Sequence, residues 1–289
     1  DLDDSDYHET ALGKSECVNP KQTKITWRRA KPDSYHIEKY KDEVKLMKPQ
    51  INKLKRKIDL YGATEKLHIR NQKRGRLDKR MLHRIPMGRQ DLFKNIIVKD
   101  DKPIDVCLLV DESGSMSGHR IRAARRSCIA LKETLEENPK LNLWVFGHTA
   151  DRITRGDTEM TEYWSPSMKD RPMAMGAMKA KYENRDGSAI VASSDRVKQQ
   201  APNPSTNKLM IVLSDGEPSA DGYRGHTAQA HTASCVKYCE AHGWNVIQVG
   251  FTGARESVMK KCFTNWVYVK DESQLSDKVS KIIRKVLKV

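Results

Sequence analysis

The sequence lacks several signals that would assign it directly to a class of protein. Its six cysteines form no C-x-x-C pair, which argues against a disulfide framework and leaves zinc binding by His231, Cys235 and Cys239, on one predicted helical face, as a minor alternative. No apolar run is long enough to span a membrane, and no signal peptide is recognisable. Neither a G-x-x-x-x-G-K-S/T phosphate loop nor a G-x-S-x-G nucleophile elbow occurs. These absences predict a reduced, cytoplasmic protein that does not hydrolyse ATP by itself.

What is abundant is positive charge, and it is concentrated in one part of the chain. The formal net charge is +15. Residues 37–100 hold 19 Lys and Arg against 8 Asp and Glu, a balance of +11, whereas residues 101–289 hold 28 against 23, a balance of +5. Such a segment attracts nucleic acid or acidic protein surfaces, although it can equally be the solvated face of a helix. The candidate basic patch consists of Lys53, Lys55, Arg56, Lys57, Lys73, Arg74, Arg76, Lys79 and Arg80.

The part of the chain that precedes residue 101 is not uniform in its pattern. Residues 1–34 show no sustained periodicity and are predicted to be an acidic, irregular lead-in. Over 35–61, apolar residues recur every three or four positions, which predicts either a helix with a kink at Pro49 or two shorter helices. We therefore expect residues 35–100 to form a basic helical segment that packs on or near the remaining domain, with one edge strand over 91–98.

The remaining part, residues 101–289, alternates apolar strands with amphipathic helices. The predicted strands are Ile104–Val110, Leu141–Phe146, Lys208–Leu213, Asn245–Val249 and Asn265–Val269. The predicted helices are His119–Glu137, Met168–Tyr182, Ile190–Gln199, Thr227–His242 and Ser273–Leu287. The methionines between 168 and 178 favour core packing over a flexible binding surface. This order predicts a doubly wound α/β domain, with a mostly parallel central sheet and helices on both faces.

The first strand of that domain ends in a loop that is rich in oxygen ligands. Asp111, Ser113 and Ser115 alternate along the run D-E-S-G-S-M-S-G, just beyond the strand and before a helix. Ligands in open α/β sheets bind outside the carboxyl ends of the strands, which is where this loop lies. A carboxylate with two hydroxyls, and no thiol or imidazole, is a hard oxygen set that suits Mg²⁺, with Mn²⁺ or Ca²⁺ as less selective alternatives.

Two later loops are expected at the same edge of the sheet. Ser188 lies just before a predicted helix and offers a hydroxyl, and Asp215 follows a strand and offers a carboxylate, directly or through water. Asn184, Asp186 and Glu217 flank these two residues as outer contacts or alternative metal ligands. Ser and Asp often cap helices, but three such loops in this order indicate a single metal site.

The three loops resemble the metal-ion-dependent adhesion site of von Willebrand factor A-type (VWA) domains. In that site, D-x-S-x-S is followed by a Thr-type ligand and then by a strand-end Asp that precedes Gly. The resemblance covers residues 101–289 and departs at Ser188, where many members have Thr. It implies a VWA fold, a bound Mg²⁺ and one metal position left for water or for a carboxylate that a partner supplies.

Narrower features resemble one branch of VWA proteins, the CobT-type subunit of aerobic cobaltochelatases. They are G-x-L-D-x-x-x-L-x-R over 75–84, N-x-D-G-x-A over 184–189 and W-V-Y-V over 266–269. The resemblance implies a non-catalytic adaptor that works with a MoxR-type AAA+ ATPase, usually a hexameric ring. The adaptor would couple ATP hydrolysis to metal insertion or to remodelling of a client protein or complex. Related pairs, including viral ones, act on other targets, so the partner class is better supported than the pathway.

Two other functions remain open from the sequence. Ser113 or Ser115 is a candidate nucleophile, with His119 or His148 as its base, in a stand-alone hydrolase; the Asp-rich loop suits a cation better. The segment 37–100 is a candidate for nucleic-acid binding, although it has few aromatic side chains on which bases stack. Three observations distinguish these functions. An adaptor binds its ATPase only with metal, a hydrolase turns over substrate alone, and a nucleic-acid binder shows steep salt dependence.

Overall fold

The structure is a computed structural model, and it describes most of the chain. The residues that it describes are 7–9, 24–58, 65–99, 103–138, 140–150, 157–168, 170–201, 207–215, 217–251, 254–270 and 274–287. The strands are β1 (Tyr7–Glu9), β2 (Ile25–Arg29), β3 (Glu65–Gln72), β4 (Arg76–Leu77), β5 (Phe93–Lys99), β6 (Ile104–Asp111), β7 (Leu141–Ala150), β8 (Thr158–Trp164), β9 (Asn207–Ser214), β10 (Trp244–Gly250) and β11 (Asn265–Tyr268). The helices are α1 (Ser34–Ile58), α2 (His119–Leu135), α3 (Asp186–Gln200), α4 (Gly225–Ala241), α5 (Glu256–Cys262) and α6 (Leu275–Leu287).

Eight strands form the central sheet, in the order β1-β11-β10-β9-β6-β7-β8-β2. The five strands from β11 to β7 are parallel to their neighbours, and β8 pairs with β7 in the antiparallel sense. The predicted doubly wound, mostly parallel sheet is therefore confirmed. Each edge strand comes from the first 29 residues, because β2 pairs with β8 and β1 pairs with β11. The lead-in predicted to be irregular thus contributes both edges of the sheet, and that part of the prediction is wrong.

The strand β6 lies at the centre of the fold and is buried along its whole length. Its side chains alternate between the two faces of the sheet, as the pleat of a strand requires. Val106, Leu108 and Val110 belong to the core under α2 and α6, whereas Cys107 and Leu109 belong to the core under α3, α4 and α5. A strand that is apolar on both faces is typical of a sheet covered by helices on both sides.

The first helix, α1, adds a further layer outside α2. Its inward stripe of Tyr40, Met47, Ile51 and Leu54 is buried, which confirms the predicted helix. A buried ion pair joins the two helices: Arg125 of α2 donates to both carboxylate oxygens of Glu43, at 2.8 and 2.6 Å. The helix also continues through Pro49.

The segment 35–100, predicted to be mainly helical with one strand, is α-helical among its described residues only in α1. The strands β3, β5 and β4 form a separate antiparallel three-stranded sheet, and the segment Lys79–Met87 is a 3₁₀-helix. The strand predicted over 91–98 exists as β5, but it is the central strand of this small sheet and not an edge strand. The charged side chains of Glu65–Gln72 obscured β3, because a strand with so few apolar residues gives no clear alternation.

The predicted helix Met168–Tyr182 is also absent from the part of it that the structure describes. That segment is irregular apart from a short 3₁₀ turn at Ala174–Ala177. Its methionines Met168, Met175 and Met178 are nevertheless fully buried, so the preferred interpretation as core packing is confirmed. The segment passes close to α1: a side chain on Gly176 would lie 2.1 Å from the carbonyl oxygen of His36. Among the described helices, none is both long and apolar enough to cross a membrane.

Candidate metal centre

The candidate site lies where three segments meet at the carboxyl edge of the parallel strands. Asp111 is the last residue of β6, Asp215 follows β9 and Asp186 is the first residue of α3. All three carboxylates are buried, with relative exposures of 0, 9 and 1% respectively. The strand order places β6 beside β9, which explains why loops more than a hundred residues apart converge at this point.

Asp111 is held by hydrogen bonds from each of these segments. The backbone N–H of Ser113 donates to Asp111 Oδ1 at 2.8 Å. The side chains of Asn184 and Ser214 donate to its other oxygen, Oδ2, at 2.9 and 3.1 Å. Burial raises the pKa of Asp111, and these hydrogen bonds oppose that rise because they stabilise the charged form. The carboxylate is therefore fixed in position, with its charge only partly compensated.

Two hydroxyls complete the first loop. The Oγ atoms of Ser113 and Ser115 lie 2.9 Å apart, and the Ser115 hydroxyl also contacts Asp215, which lowers the pKa of that carboxyl group. Ser113 is buried, but Gly114 and Ser115 are exposed. The oxygen cluster is thus open to solvent on the Ser115 side, so a partner can approach it from there.

Asp186 is the least compensated member of the cluster. Its Oδ1 accepts a hydrogen bond of 3.3 Å from Asn184, whereas its buried Oδ2 has no hydrogen-bond partner. His148 lies 3.5 Å from Oδ1, but burial lowers the pKa of that imidazole to about 3, so it is neutral. Burial, followed by the nearby charges of Asp111 and Asp215, raises the pKa of Asp186 well above its usual value.

Among the described residues, Arg120 is the one cation that hydrogen-bonds any of the three carboxylates, and its partner is Asp215. From α2 its Nη1 atom donates to the carbonyl of Ser115 at 2.8 Å and to Asp215 Oδ2 at 3.3 Å. Burial and the charge of Asp111 raise the pKa of Asp215, and Arg120 opposes that rise. Its side chain is 29% exposed, so it lies at the rim of the site.

These observations fit a divalent cation. Three buried carboxylates face a single guanidinium, and burying uncompensated charge is unfavourable, which is why the pKa of each carboxyl group is raised. The donor atoms are carboxylate and hydroxyl oxygens, which Mg²⁺ prefers. Asp111, Ser113, Ser115 and Asp215 are the residues that would hold it, and Asp186 with its free Oδ2 would bind it directly or through water.

The remaining predicted site residues differ in their positions. Ser188 is buried in the first turn of α3, close in sequence to Asp186. Asn184, predicted as an outer contact, bridges Asp111 and Asp186. Glu217 points away from this network: its side chain is 44% exposed and lies 3.6 Å from Arg255. Ser214 and Arg120 were missed, although Ser214 directly precedes Asp215 at the end of an apolar strand.

Neither histidine proposed as a catalytic base has a described contact with the serines. His119 is exposed and lies 3.2 Å from the guanidinium of Arg122. The two ring nitrogens of His148 are buried, and they have no hydrogen-bond partner among the described residues. The geometry therefore gives no support to a serine nucleophile activated by either residue.

The alternative zinc site is not assembled either. His231 Nδ1 hydrogen-bonds the Tyr223 hydroxyl at 2.7 Å, and its Nε2 lies 3.6 Å from the sulfur of Cys235. Cys239 Sγ instead approaches the carbonyl of Ile190 at 3.9 Å. Among the described residues, no group of three or more His, Cys, Asp or Glu side chains is arranged to hold a metal. The carboxylates of Asp111, Asp186 and Asp215 do not form such a group by themselves, so a cation at this site would depend on the hydroxyls of Ser113 and Ser115 as well.

The predicted basic patch is divided between two places. On α1, Lys53 lies 3.7 Å from Asp277 of α6, and Lys55 lies 2.8 Å from Glu137, which follows α2. Arg56 is exposed on the same helix, and the side chain of Lys57 is outside the described residues. The other members are exposed near the 3₁₀-helix: Lys73, Arg74, Arg76, Lys79 and Arg80.

Comparisons with known proteins agree with the fold. Residues 105–280 match the model of the von Willebrand factor type A domain family. The uncharacterized protein YojO of Bacillus subtilis (strain 168) is 26% identical over 265 residues, which is 86% of this chain and 40% of that protein. The human inter-alpha-trypsin inhibitor heavy chain H4 is 26% identical over 162 residues, which is 50% of this chain and 16% of that protein. The chain thus spans less than half the length of these relatives.

Among solved structures, the chain is similar to the pilus adhesin SpaC from Lactobacillus rhamnosus GG. Two crystal structures of that adhesin match with TM-scores of 0.51 and 0.52, at 13 and 12% sequence identity. They cover 66 and 65% of this chain and 30 and 31% of the adhesin. At this identity the likeness shows a shared fold.

Proposed function

The chain belongs to the von Willebrand factor type A domain family, and from that premise we propose that it is a metal-dependent protein-interaction module. Its site would bind Mg²⁺ and leave one metal position for a carboxylate of a partner protein. The observation that carries this proposal is the cluster of three buried carboxylates around two hydroxyls, with Asp186 Oδ2 left without a hydrogen bond.

The residues of the site divide the work of binding. Asp111, fixed by three hydrogen bonds, orients the cluster, and the exposed Ser115 marks the direction from which a partner arrives. When bound, the metal supplies a positive charge that attracts a carboxylate. Arg120, at the rim and only partly buried, adds a second positive group beside that position. A partner Asp or Glu would then be recognised by charge and by the geometry of two fixed cations.

The finer proposal concerns the partner, which we infer to be a MoxR-type AAA+ ATPase, as in the CobT-type resemblance. In support, the residues that carry this resemblance include Asn184 and Asp186, two members of the hydrogen-bonded cluster. Gly187, from the same motif, has no room for a side chain, because a Cβ atom would lie 2.6 Å from His231 Nδ1. In this role the chain is an adaptor that couples ATP hydrolysis by the partner to remodelling of a client. The proposal does not assign the client.

The test separates the metal site from the partner. Calorimetric titration with Mg²⁺ is expected to give one site in the wild type and none in Asp111→Ala. The matched control is Glu217→Ala, in the same loop as Asp215 but pointing outward, and it is expected to bind Mg²⁺ like the wild type. Absence of Mg²⁺ binding by the wild type would contradict the module itself.

The partner is then tested with the same three proteins as baits in extracts of the native host, each with Mg²⁺ and with EDTA. An AAA+ ATPase identified by mass spectrometry is expected only with the wild type and Glu217→Ala, and only in Mg²⁺. Recovery of the same proteins in all samples would show that the metal site is not the docking point. Metal-dependent recovery of a partner other than an AAA+ ATPase would overturn the finer proposal alone.

A further inference from the structure

The segment that connects β3 and β5 is rich in positive charge and is not part of the candidate metal centre. Residues 72–95 contain eight Lys and Arg against two Asp, a balance of +6. Neither Asp is free to neutralise the surface. Asp78 is buried and accepts a hydrogen bond from the backbone of Arg80, and Asp91 is held by Arg89 through two hydrogen bonds of 2.9 and 2.8 Å. The surface therefore keeps a strong positive potential.

The same segment exposes apolar side chains. Leu77, Leu82, Ile85 and Met87 have relative exposures of 43, 38, 53 and 74%. Among the described residues they are four of the seven large hydrophobic side chains that are exposed. Scattered exposed apolar residues are ordinary, but a concentration within eleven residues marks an interaction surface.

The backbone that presents these side chains is well defined. The 3₁₀-helix Lys79–Met87 begins at the capping residue Asp78 and ends at Gly88, whose φ of 71° is in the left-handed region. None of its nine residues is buried. A 3₁₀-helix has three residues per turn, so Leu82 and Ile85 lie on the same side. A capped helix that buries none of its residues holds its apolar side chains outward.

We propose that this basic and apolar surface, formed by Leu77, Lys79, Arg80, Leu82, Ile85 and Met87, binds an acidic protein segment that carries apolar side chains. Asp and Glu of the partner would pair with Lys79 and Arg80, while its apolar side chains cover Leu82 and Ile85. Nucleic acid matches the charge but leaves the aliphatic side chains uncovered. Phe93 is the one aromatic residue in 72–95, so a platform for base stacking is lacking.

The test uses the full chain in EDTA, so that the metal centre makes no contribution, and selects binders from a displayed library of random dodecapeptides. The selected peptides are expected to be enriched in Asp and Glu together with Leu, Ile or Phe. The affinity for the best peptide, measured by fluorescence anisotropy, is expected to fall at least tenfold in the triple variant Leu82→Ser/Ile85→Ser/Met87→Ser. It is also expected to fall in Lys79→Gln/Arg80→Gln, with a weaker dependence on salt.

The matched control is Leu46→Ser, an equally exposed apolar residue on α1, which is expected to bind the peptide like the wild type. The proposal is overturned if no peptide is enriched relative to the triple serine variant. It is also overturned if a single-stranded oligonucleotide binds tighter than the best peptide and the triple variant binds it equally well, because the partner is then nucleic acid. Self-association in sedimentation that Ile85→Ser abolishes would overturn it in favour of a second copy of the chain.

Discussion

The loops around Asp111 and the 3₁₀-helix Lys79–Met87 depart from the usual distribution of residues in opposite directions. In the first region carboxylates are buried, with Asp186 Oδ2 lacking a hydrogen bond. In the second, apolar side chains are exposed on a helix that buries none of its residues. Soluble proteins normally bury apolar groups and expose charges. Each departure is unfavourable for the isolated chain, and each supports one of the two proposals: a cation at the first region and an acidic segment with apolar side chains at the second.

A third region shows what a buried charge looks like when its partner is already present in the chain. Arg125 and Glu43 form two hydrogen bonds between α2 and α1, and both side chains are less than one tenth exposed. Arg125 also donates to the carbonyl of Met178 at 3.0 Å. The Arg125–Glu43 pair is therefore a reference for the carboxylates around Asp111, because its charges are buried but also paired.

The largest expected effect comes from breaking that reference pair. Arg125→Met leaves Glu43 buried near Arg126, at 3.7 Å, and is expected to reduce the free energy of unfolding by about 3–5 kcal/mol, as for other buried pairs that lose one partner. Chemical denaturation by urea measures it. The double variant Glu43→Leu/Arg125→Met is the control, and it is expected to recover most of the loss. A loss below about 1 kcal/mol in the single variant would show that buried charge is tolerated in this fold without a partner.

The next effect concerns the unpaired charges. At a Mg²⁺ concentration 100 times its dissociation constant, the wild type is expected to gain about 2.7 kcal/mol of stability, the amount set by mass action. Asp186→Asn is expected to be more stable than the wild type in EDTA, by about 0.5–3 kcal/mol, and to gain less from Mg²⁺. The measurement is urea denaturation in both conditions. If Asp186→Asn destabilises the chain in EDTA, the buried carboxylate of Asp186 is not unfavourable in the metal-free fold. The contrast with the paired charges of Arg125 and Glu43 is then wrong.

A smaller effect is expected from pH in the absence of metal. The pKa of Asp186 is raised in the folded state by burial and by the charges of Asp111 and Asp215, so the folded state binds this proton more tightly than the unfolded state does. The contribution of Asp186 to stability is then greatest below the unfolded pKa, about 3.9, and decreases as pH rises through the raised folded pKa. Asp186→Asn should flatten this decrease, measured by denaturation in EDTA at several pH values. Identical slopes in the two proteins would contradict the assignment.

The smallest effect is expected at the exposed region. Ile85→Ala should change the free energy of unfolding by no more than about 0.5 kcal/mol, because the side chain of Ile85 is not buried in a core. Ile129→Ala is the matched control in the buried core, with an expected loss of about 2–5 kcal/mol. Denaturation curves of the two variants give the contrast directly. A large loss at Ile85 would mean that its side chain packs within the chain, and the surface would then not be available to a partner.

Most of the doubly wound domain could be predicted because its central strands are apolar on both faces. The strand β8 could not, since it buries Glu162 in the sheet. That residue is stabilised by Arg196 at 3.0 Å and Gln200 at 3.1 Å, which belong to α3. Arg29 of β2 lies 3.6 Å away on the other side. Because these partners are distant in sequence, the pattern of residues within β8 does not reveal that its polar side chain can be buried.

The site shows the same division. Asp111, Ser113 and Ser115 could be predicted because they are close in sequence and follow an apolar strand. Arg120 could not be assigned to the site, because its contact with Asp215 depends on the first turn of α2 facing the end of β9. The predicted helix over 168–182 failed for a related reason. Its methionines are spaced as on a helix, but they belong to an irregular segment. They are buried because α1 and α2 pack over that segment.

The position of the two edge strands has a consequence for how the chain is made. The strands β1 and β2 are synthesised before the other strands of the sheet, and β8 and β11, with which they pair, emerge more than a hundred residues later. A ribosome adds roughly 5–20 residues per second, so β2 waits several seconds for its neighbour, and β1 waits longer still. Until then both borders of the growing sheet present unsatisfied backbone groups. The order of synthesis thus delays the pairing of each edge strand until its neighbour in the sheet has been made.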